Sequence, residues 1–240
     1  MNKNEALEFL EALESGAEKI IDKNNNYALN VENKSKIVDV FKAFQTNEFE
    51  CGPFVWKDKI PLRTSIANIR FVPGSVVRRG SYFENGVIVM PAFVNIGAHV
   101  GENSMVDSFA TIGSCAYIGK RCHISSSSVI AGVLEPVSEK PAIIEDDVFV
   151  GAQCLVSEGI HVKYGAVLAA GVHLTSSTKI IDRETGIEYD HVPACSLVVP
   201  GSYRSTLNEN AFINCAWIVK KIDLVDRHST SINKALRDLN

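Results

Sequence analysis

The side chains of this sequence best placed for chemistry are one carboxylate and a few cations. Asp107, in MVDS, could take a proton from an ammonium or hold it, because an amine must lose a proton before it attacks. The alternative is an aspartate that caps a turn. Arg70, in NIRFVPG, carries a planar fork suited to a bidentate grip on a carboxylate, or else forms a surface ion pair. Lys179 and Arg183 stand beside Asp182 and Glu184 in TKIIDRETG, so anion binding competes with mutual pairing. The run Ser125 to Ser128 could hydrogen-bond an amide of an extended ligand, or could simply fill corners.

Other chemistries find less support. His99, His123, His161 and His173 occupy equivalent positions in the repeat described below. The steps of 24 residues from His99 to His123 and 12 from His161 to His173 are not multiples of 18, so neither pair stacks on one side and no metal site is expected. Six cysteines show no CxxC spacing and are too sparse for a disulfide framework, which favours reduced thiols and direct transfer over a covalent intermediate. A net charge of -4, with basic clusters no longer than Arg78-Arg79 and Lys220-Lys221, gives no track for nucleic acid. No apolar run reaches the roughly 20 residues that span a bilayer. The acidic start MNKNEALEFLEALES lacks a secretory pattern, so a cytoplasmic location and no membrane partner are expected.

The elements that must position these residues are set by a repeat. From Phe71 the chain reads FVPGSV VRRGSY FENGVI VMPAFV NIGAHV GENSMV DSFATI GSCAYI GKRCHI SSSSVI. The sixth position runs Val76, Tyr82, Ile88, Val94, Val100, Val106, Ile112, Ile118, Ile124, Ile130, and the fourth is always small. A period of six fits neither a strand nor a helix. It fits a triangular solenoid in which eighteen residues make one coil and each side turns one aliphatic inward. Asp107 follows the inward Val106 at a corner and should project into a groove. The register breaks at AGVLEPVSEKPA, expected to be a loop over 131–142, and resumes from Ile144 to Ile180.

The flanks read differently. Leu7, Leu10, Leu13, Ala17, Ile20 and Ile21, then Ile37, Val40, Phe41 and Phe44, recur at helical spacing on either side of KNNNYALN. Short β-like runs follow around Phe54, Val55 and Trp56, then at Ile66 and Ile69. The end of the chain reads as a strand from Cys215 to Ile222. A helix capped by Thr230 and Ser231, with Ile232, Leu236 and Leu239 as its stripe, is expected after it. The expected organisation is an α/β N-terminal domain over 1–70, a left-handed parallel β-helix over 71–201, and a strand–helix extension over 202–240.

At MVDSFATIGSCAYIGK, GVLEP, IIEDD and TKIIDRETG the sequence resembles the tetrahydrodipicolinate N-succinyltransferase family, from Arg70 to the C-terminus. The resemblance implies a homotrimer with its site between subunits. It implies transfer of succinyl from succinyl-CoA to the amino group of the ring-opened acceptor, in the diaminopimelate branch of lysine synthesis. Asp107 matches the family's substrate-binding aspartate and is the expected catalytic residue. Arg70 matches its substrate-binding arginine, Arg183 and Glu184 match an acceptor-binding segment, and Lys179, also expected to bind substrate, stands where the family usually has an arginine. The pantetheine arm is expected along a coil edge at Ser125, Ser126, Gly132, Ala152 and Ala170. Leu155 stands where the resemblance implies a glutamate, so either Asp107, with or without Glu158, carries the proton transfer, or the protein takes a less polar acceptor. Two other readings stay open: an N-acyltransferase for another amine such as an amino sugar, and a non-catalytic ligand-binding trimer.

Overall fold

The computed structural model describes residues 1–61, 63, 69–208 and 210–222, the side chain of Cys51 excepted. The repeat folds as a left-handed parallel β-helix whose two-residue strands stack into three flat faces. The first face carries Arg70–Phe71, Ile88–Val89, Met105–Val106, His123–Ile124, Phe149–Val150 and Val167–Leu168. The second runs from Val76–Val77 to His173–Leu174, and the third from Tyr82–Phe83 to His161–Val162. Register follows the coil: Met105 pairs with His123 and Thr111 with Val129, each 18 residues on. Inward side chains such as Val106, Ile112, Ile118 and Ile124 have no accessible surface. Each such burial stabilises by roughly 1.5–3 kcal/mol, so the stack is the main source of stability.

Most corners turn on a residue with positive φ, three before the inward aliphatic. Asn103, Phe109, Cys115, Arg121 and Ser127 hold this position with φ between 53° and 66°. Gly74, Gly80 and Gly86 hold it in the first coil. This corrects the sequence register there. The inward residues are Phe71, Val77, Phe83 and Val89, while Val76 is 53% exposed. Val89 and Val94 are five residues apart, and the short step falls on Pro91, whose ring forbids positive φ. Past the corner the six-residue register holds to Ile130. Ile143 then pairs with Tyr117 across 26 residues instead of 18, the excess being the 131–142 loop.

The N-terminal segment covers the third face. Helix α1 spans Lys3–Ser15, starts in a capping box of Asn2 and Glu5, and stops at Gly16 with φ 77°. The helical spacing through Ile21 therefore overran: Ile21–Asp22 pairs antiparallel with Ala28–Leu29. Helix α2 spans Val31–Ala43. Leu10, Leu13, Ile37 and Val40 pack on Ile96 and Cys115 at the corner between the second and third faces. A hairpin of Asn47–Cys51 and Phe54–Asp58 follows.

At the other end Ser196–Arg204 joins the first face beside Val167–Leu168 and pairs antiparallel with Phe212–Lys221, which also carries Lys179–Asp182. One ladder thus runs through position 201, where the sequence suggested a boundary, and Arg70 already belongs to the first coil. Ile66 and the helix expected around Thr230, Ser231, Ile232, Leu236 and Leu239 lie outside the described residues.

Candidate active site

Asp107 leaves the first face at its corner with the second. Its amide donates to the Ile124 carbonyl of the next coil (2.9 Å), and its Oδ1 accepts from the Ser108 amide (2.7 Å). That second bond is the turn-capping contact, yet Oδ2 points away from it, 3.8 Å from His123 Nε2. The His123 ring stacks on Phe149 with centroids 5.3 Å apart and planes at 16°, which fixes its orientation. Burial pulls the imidazole below its ordinary range, and the Asp107 charge opposes that pull. His123 entered the sequence reading only as a possible metal ligand. The repeat itself locates it: Ser125 stacks on Asp107 one coil on, and His123 is the outward residue two positions before Ser125.

The same corner carries four of the five residues expected along the coil edge. The Ser127 amide bonds the Ser108 carbonyl, Gln153 that of Ser126, and Gly171 that of Ala152. These bonds stack Ser108, Ser126, Ala152 and Ala170 in one column of small side chains, three coil spacings or roughly 14 Å long. Ser125 sits beside the column and is buried, and the Ser126 hydroxyl donates to the Ser108 carbonyl at 2.9 Å. Phe109 stands in solvent at this corner, 75% exposed with φ 62°. The φ is the one shared by the other corners of the coil, so exposure and not backbone strain sets Phe109 apart.

Gly132 does not join the column. It lies at the next corner, where a Cβ would collide with the Ser114 backbone, so its smallness serves coil packing. With Leu134, Pro136, Glu158, Lys179 and Tyr189 it lines a groove of about 1190 Å³ beneath the 131–142 loop. Glu158 therefore opens onto this groove and not onto Asp107, correcting the pairing suggested by sequence. Leu155 lies outward on the second face, between Val129 and His173.

The cations separate. Arg70 is exposed on the first face two strands below Asp107, roughly 10 Å away at ordinary strand spacing. Lys179 lies six strands above the Asp107 strand, roughly 29 Å away, and is occupied by Glu188 at 2.7 Å and the Tyr203 ring at 5.4 Å. Arg183 is exposed in the turn that Asp182 Oδ1 caps through the Glu184 and Thr185 amides. One chain thus brings Arg70, Asp107 and the small-residue column together, and leaves Lys179 and Arg183 apart. His99 and His161 share the third face, His123 lies on the first and His173 on the second. Burial pushes the Cys115 and Cys122 thiols up to about 12 and Cys154 to about 11, so none of these is a thiolate nucleophile near neutral pH. Among the described residues no helix is long and apolar enough to cross a membrane.

Comparison with known proteins decides the family. Residues 141–176 match the hexapeptide repeat of succinyl-transferase, and residues 97–132 the bacterial transferase hexapeptide. A 2,3,4,5-tetrahydropyridine-2,6-dicarboxylate N-succinyltransferase from Bradyrhizobium diazoefficiens is 44% identical, over 95% of this chain and 88% of its own length. The chain belongs to the tetrahydropyridine-dicarboxylate N-succinyltransferase family. A second member, from Xylella fastidiosa, is 41% identical over 96% of this chain and 87% of its own. A solved structure titled a putative N-succinyltransferase, from Campylobacter jejuni, shares the fold with TM-score 0.58 at 16% identity. It is covered over 63% of its length by 91% of this chain.

Proposed function

We propose that this chain moves the succinyl group of succinyl-CoA onto the amino group of ring-opened tetrahydrodipicolinate, in the diaminopimelate branch of lysine synthesis. The observation that carries the reading is 44% identity sustained over 95% of the chain with a protein of that named activity. The site geometry supports it. Asp107 meets the acceptor's ammonium, and Arg70, roughly 10 Å below, grips the far carboxylate of a seven-carbon diacid. The column of Ser126, Ala152 and Ala170 gives an extended pantetheine a flat edge without bulky side chains, and Phe109 walls the thioester end. The amine attacks the thioester carbonyl directly, the C–N bond forms, the C–S bond breaks, and CoA leaves as thiol.

We further read the working form as a cytoplasmic homotrimer with each site shared by two subunits. Lys179 and Arg183 are too far from Asp107 in one chain to touch the same acceptor, so a neighbouring copy supplies them if they take part. The outward row of the second face supports association. Val76, Phe93 and Val129 are 53%, 36% and 37% exposed, a mainly apolar row, interrupted by Thr111, that a second copy would bury.

The testing experiment is thiol release from succinyl-CoA and acetyl-CoA across a panel of amines that includes tetrahydrodipicolinate and amino sugars. The proposal expects succinyl-CoA with the dicarboxylate to be the preferred pair. Preference for another amine would replace the acceptor, and binding of CoA thioesters without turnover would replace the enzyme reading.

A further inference from the structure

We propose that His123 accepts the proton from the acceptor's ammonium, with Asp107 holding that ammonium by charge. This rests on the succinyl-transfer reading above and assigns the proton acceptor for that reaction. With the ring proton on Nδ1, His123 Nε2 is an acceptor, and it and Asp107 Oδ2, 3.8 Å apart, can both lie within about 2.9 Å of a single nitrogen placed between them. They are too far apart to satisfy each other with a hydrogen bond, and catalytic contacts of this kind close only around bound substrate.

The surroundings fit the role. The Phe149 stack fixes the imidazole plane, Met105 is its neighbour on the strand below, and Asp107 is the charged group acting on it. Burial keeps the ring neutral near pH 7, so it is able to receive a proton. Leu155, which starts the second face beyond this corner, is an alkyl group and accepts no proton. The balance is complete. One ammonium proton passes to His123, and the freed amine attacks the carbonyl. As the C–S bond breaks, the imidazolium returns that proton to the departing thiolate. The second nitrogen proton is released to water, leaving amide, CoA thiol and one hydrogen ion.

The test compares wild type with His123→Gln in pH-resolved thiol release from succinyl-CoA and tetrahydrodipicolinate. The expected result is a fall in kcat of roughly 10²-fold or more, the scale of general-base loss. The succinyl-CoA KM should stay within a few-fold, and the decline in rate on the acid side, below the ordinary imidazole range, should vanish. Retention of both rate and acid limb would overturn the assignment. Imidazole NMR of the full-length protein judges the pair independently of turnover. Asp107→Asn should shift the His123 titration to lower pH, and an unmoved midpoint would overturn the pairing. A wild type inactive on the dicarboxylate would overturn the reaction assignment while the NMR comparison still decides the pair.

Discussion

Lys34, with no accessible surface on α2, reaches across to the 131–142 loop and donates to the Glu139 carbonyl at 2.5 Å. It also donates to the Pro136 carbonyl at 3.1 Å. The excursion that interrupts the hexads is thus held by the N-terminal segment, and with it one wall of the 1190 Å³ groove. Lys34→Met fills the space but removes the donor, and each charge-assisted bond contributes about 1.5–3 kcal/mol. Amide hydrogen exchange in 131–142 should quicken by about tenfold or more, equivalent to about 1.4 kcal/mol, while the coils keep their protection. Unchanged exchange in the loop would show that Lys34 does not hold it.

His99 lies between Tyr82 and Tyr117, stacked on the latter at 4.5 Å, with Glu84 at 3.7 Å. Burial pulls its pKa from 6.5 to about 4; Glu84 opposes this, while Lys19, Lys23 and Lys120 add to it. A histidine depressed in the fold stabilises the protein above its unfolded pKa. That contribution is lost as pH falls from about 6.5 toward 4, and amounts to about 3 kcal/mol at most. His99→Phe keeps the stack and removes the titration. Denaturant unfolding should show a flatter decline over that window than wild type, and parallel curves would contradict the assignment.

The mainly apolar row of the second face can be tested directly. Val129→Glu places a charge in this row, where the side chain is 37% exposed in the single chain and tolerates it. Light scattering should find wild type near three chain masses and the variant near one, with unchanged circular dichroism. A monomeric wild type, or a variant still trimeric, would exclude this face as the contact.

Arg70 is exposed and its guanidinium can fork onto a carboxylate as an ammonium cannot. Arg70→Lys should raise the acceptor KM by about tenfold, roughly one lost bidentate contact, with the succinyl-CoA KM almost unmoved. Equal effects on both would assign Arg70 a structural role.

Much of this was legible in the residues. Stacked aliphatics from Val94 onward specify the coil, because a period of six satisfies no other regular structure, and the interruption at 131–142 shows as lost period. Pro91 hid a five-residue step, since a small residue still fell at the fourth position on both sides of it. Gly16 ended α1 before Ile20 and Ile21, whose spacing continued the helical pattern, although Ile21 belongs to a strand pair and Ile20 packs beneath the helices from outside α1. The corner shared by Asp107, Ser126, Ala152 and Ala170 follows from the 18-residue coil once the loop's excess is subtracted. The separation of Gly132, Glu158 and Lys179 into a second groove does not, because it depends on how the loop folds back against α2. His123 was visible by type and missed by role, being tested against other histidines and not against the carboxylate one coil below.

Succinyl transfer to the dicarboxylate at the Asp107 corner is tested most directly by acceptor-dependent thiol release from succinyl-CoA by wild type and Asp107→Asn, with the N-succinyl product confirmed by mass spectrometry. Wild type should turn over only when the dicarboxylate is present. The expected kcat is lower by roughly 10²-fold or more in the variant, the usual scale for loss of a preorganised electrostatic contact, at unchanged thermal stability. No acceptor-dependent release by wild type, or a variant within a few-fold of it, would contradict the account.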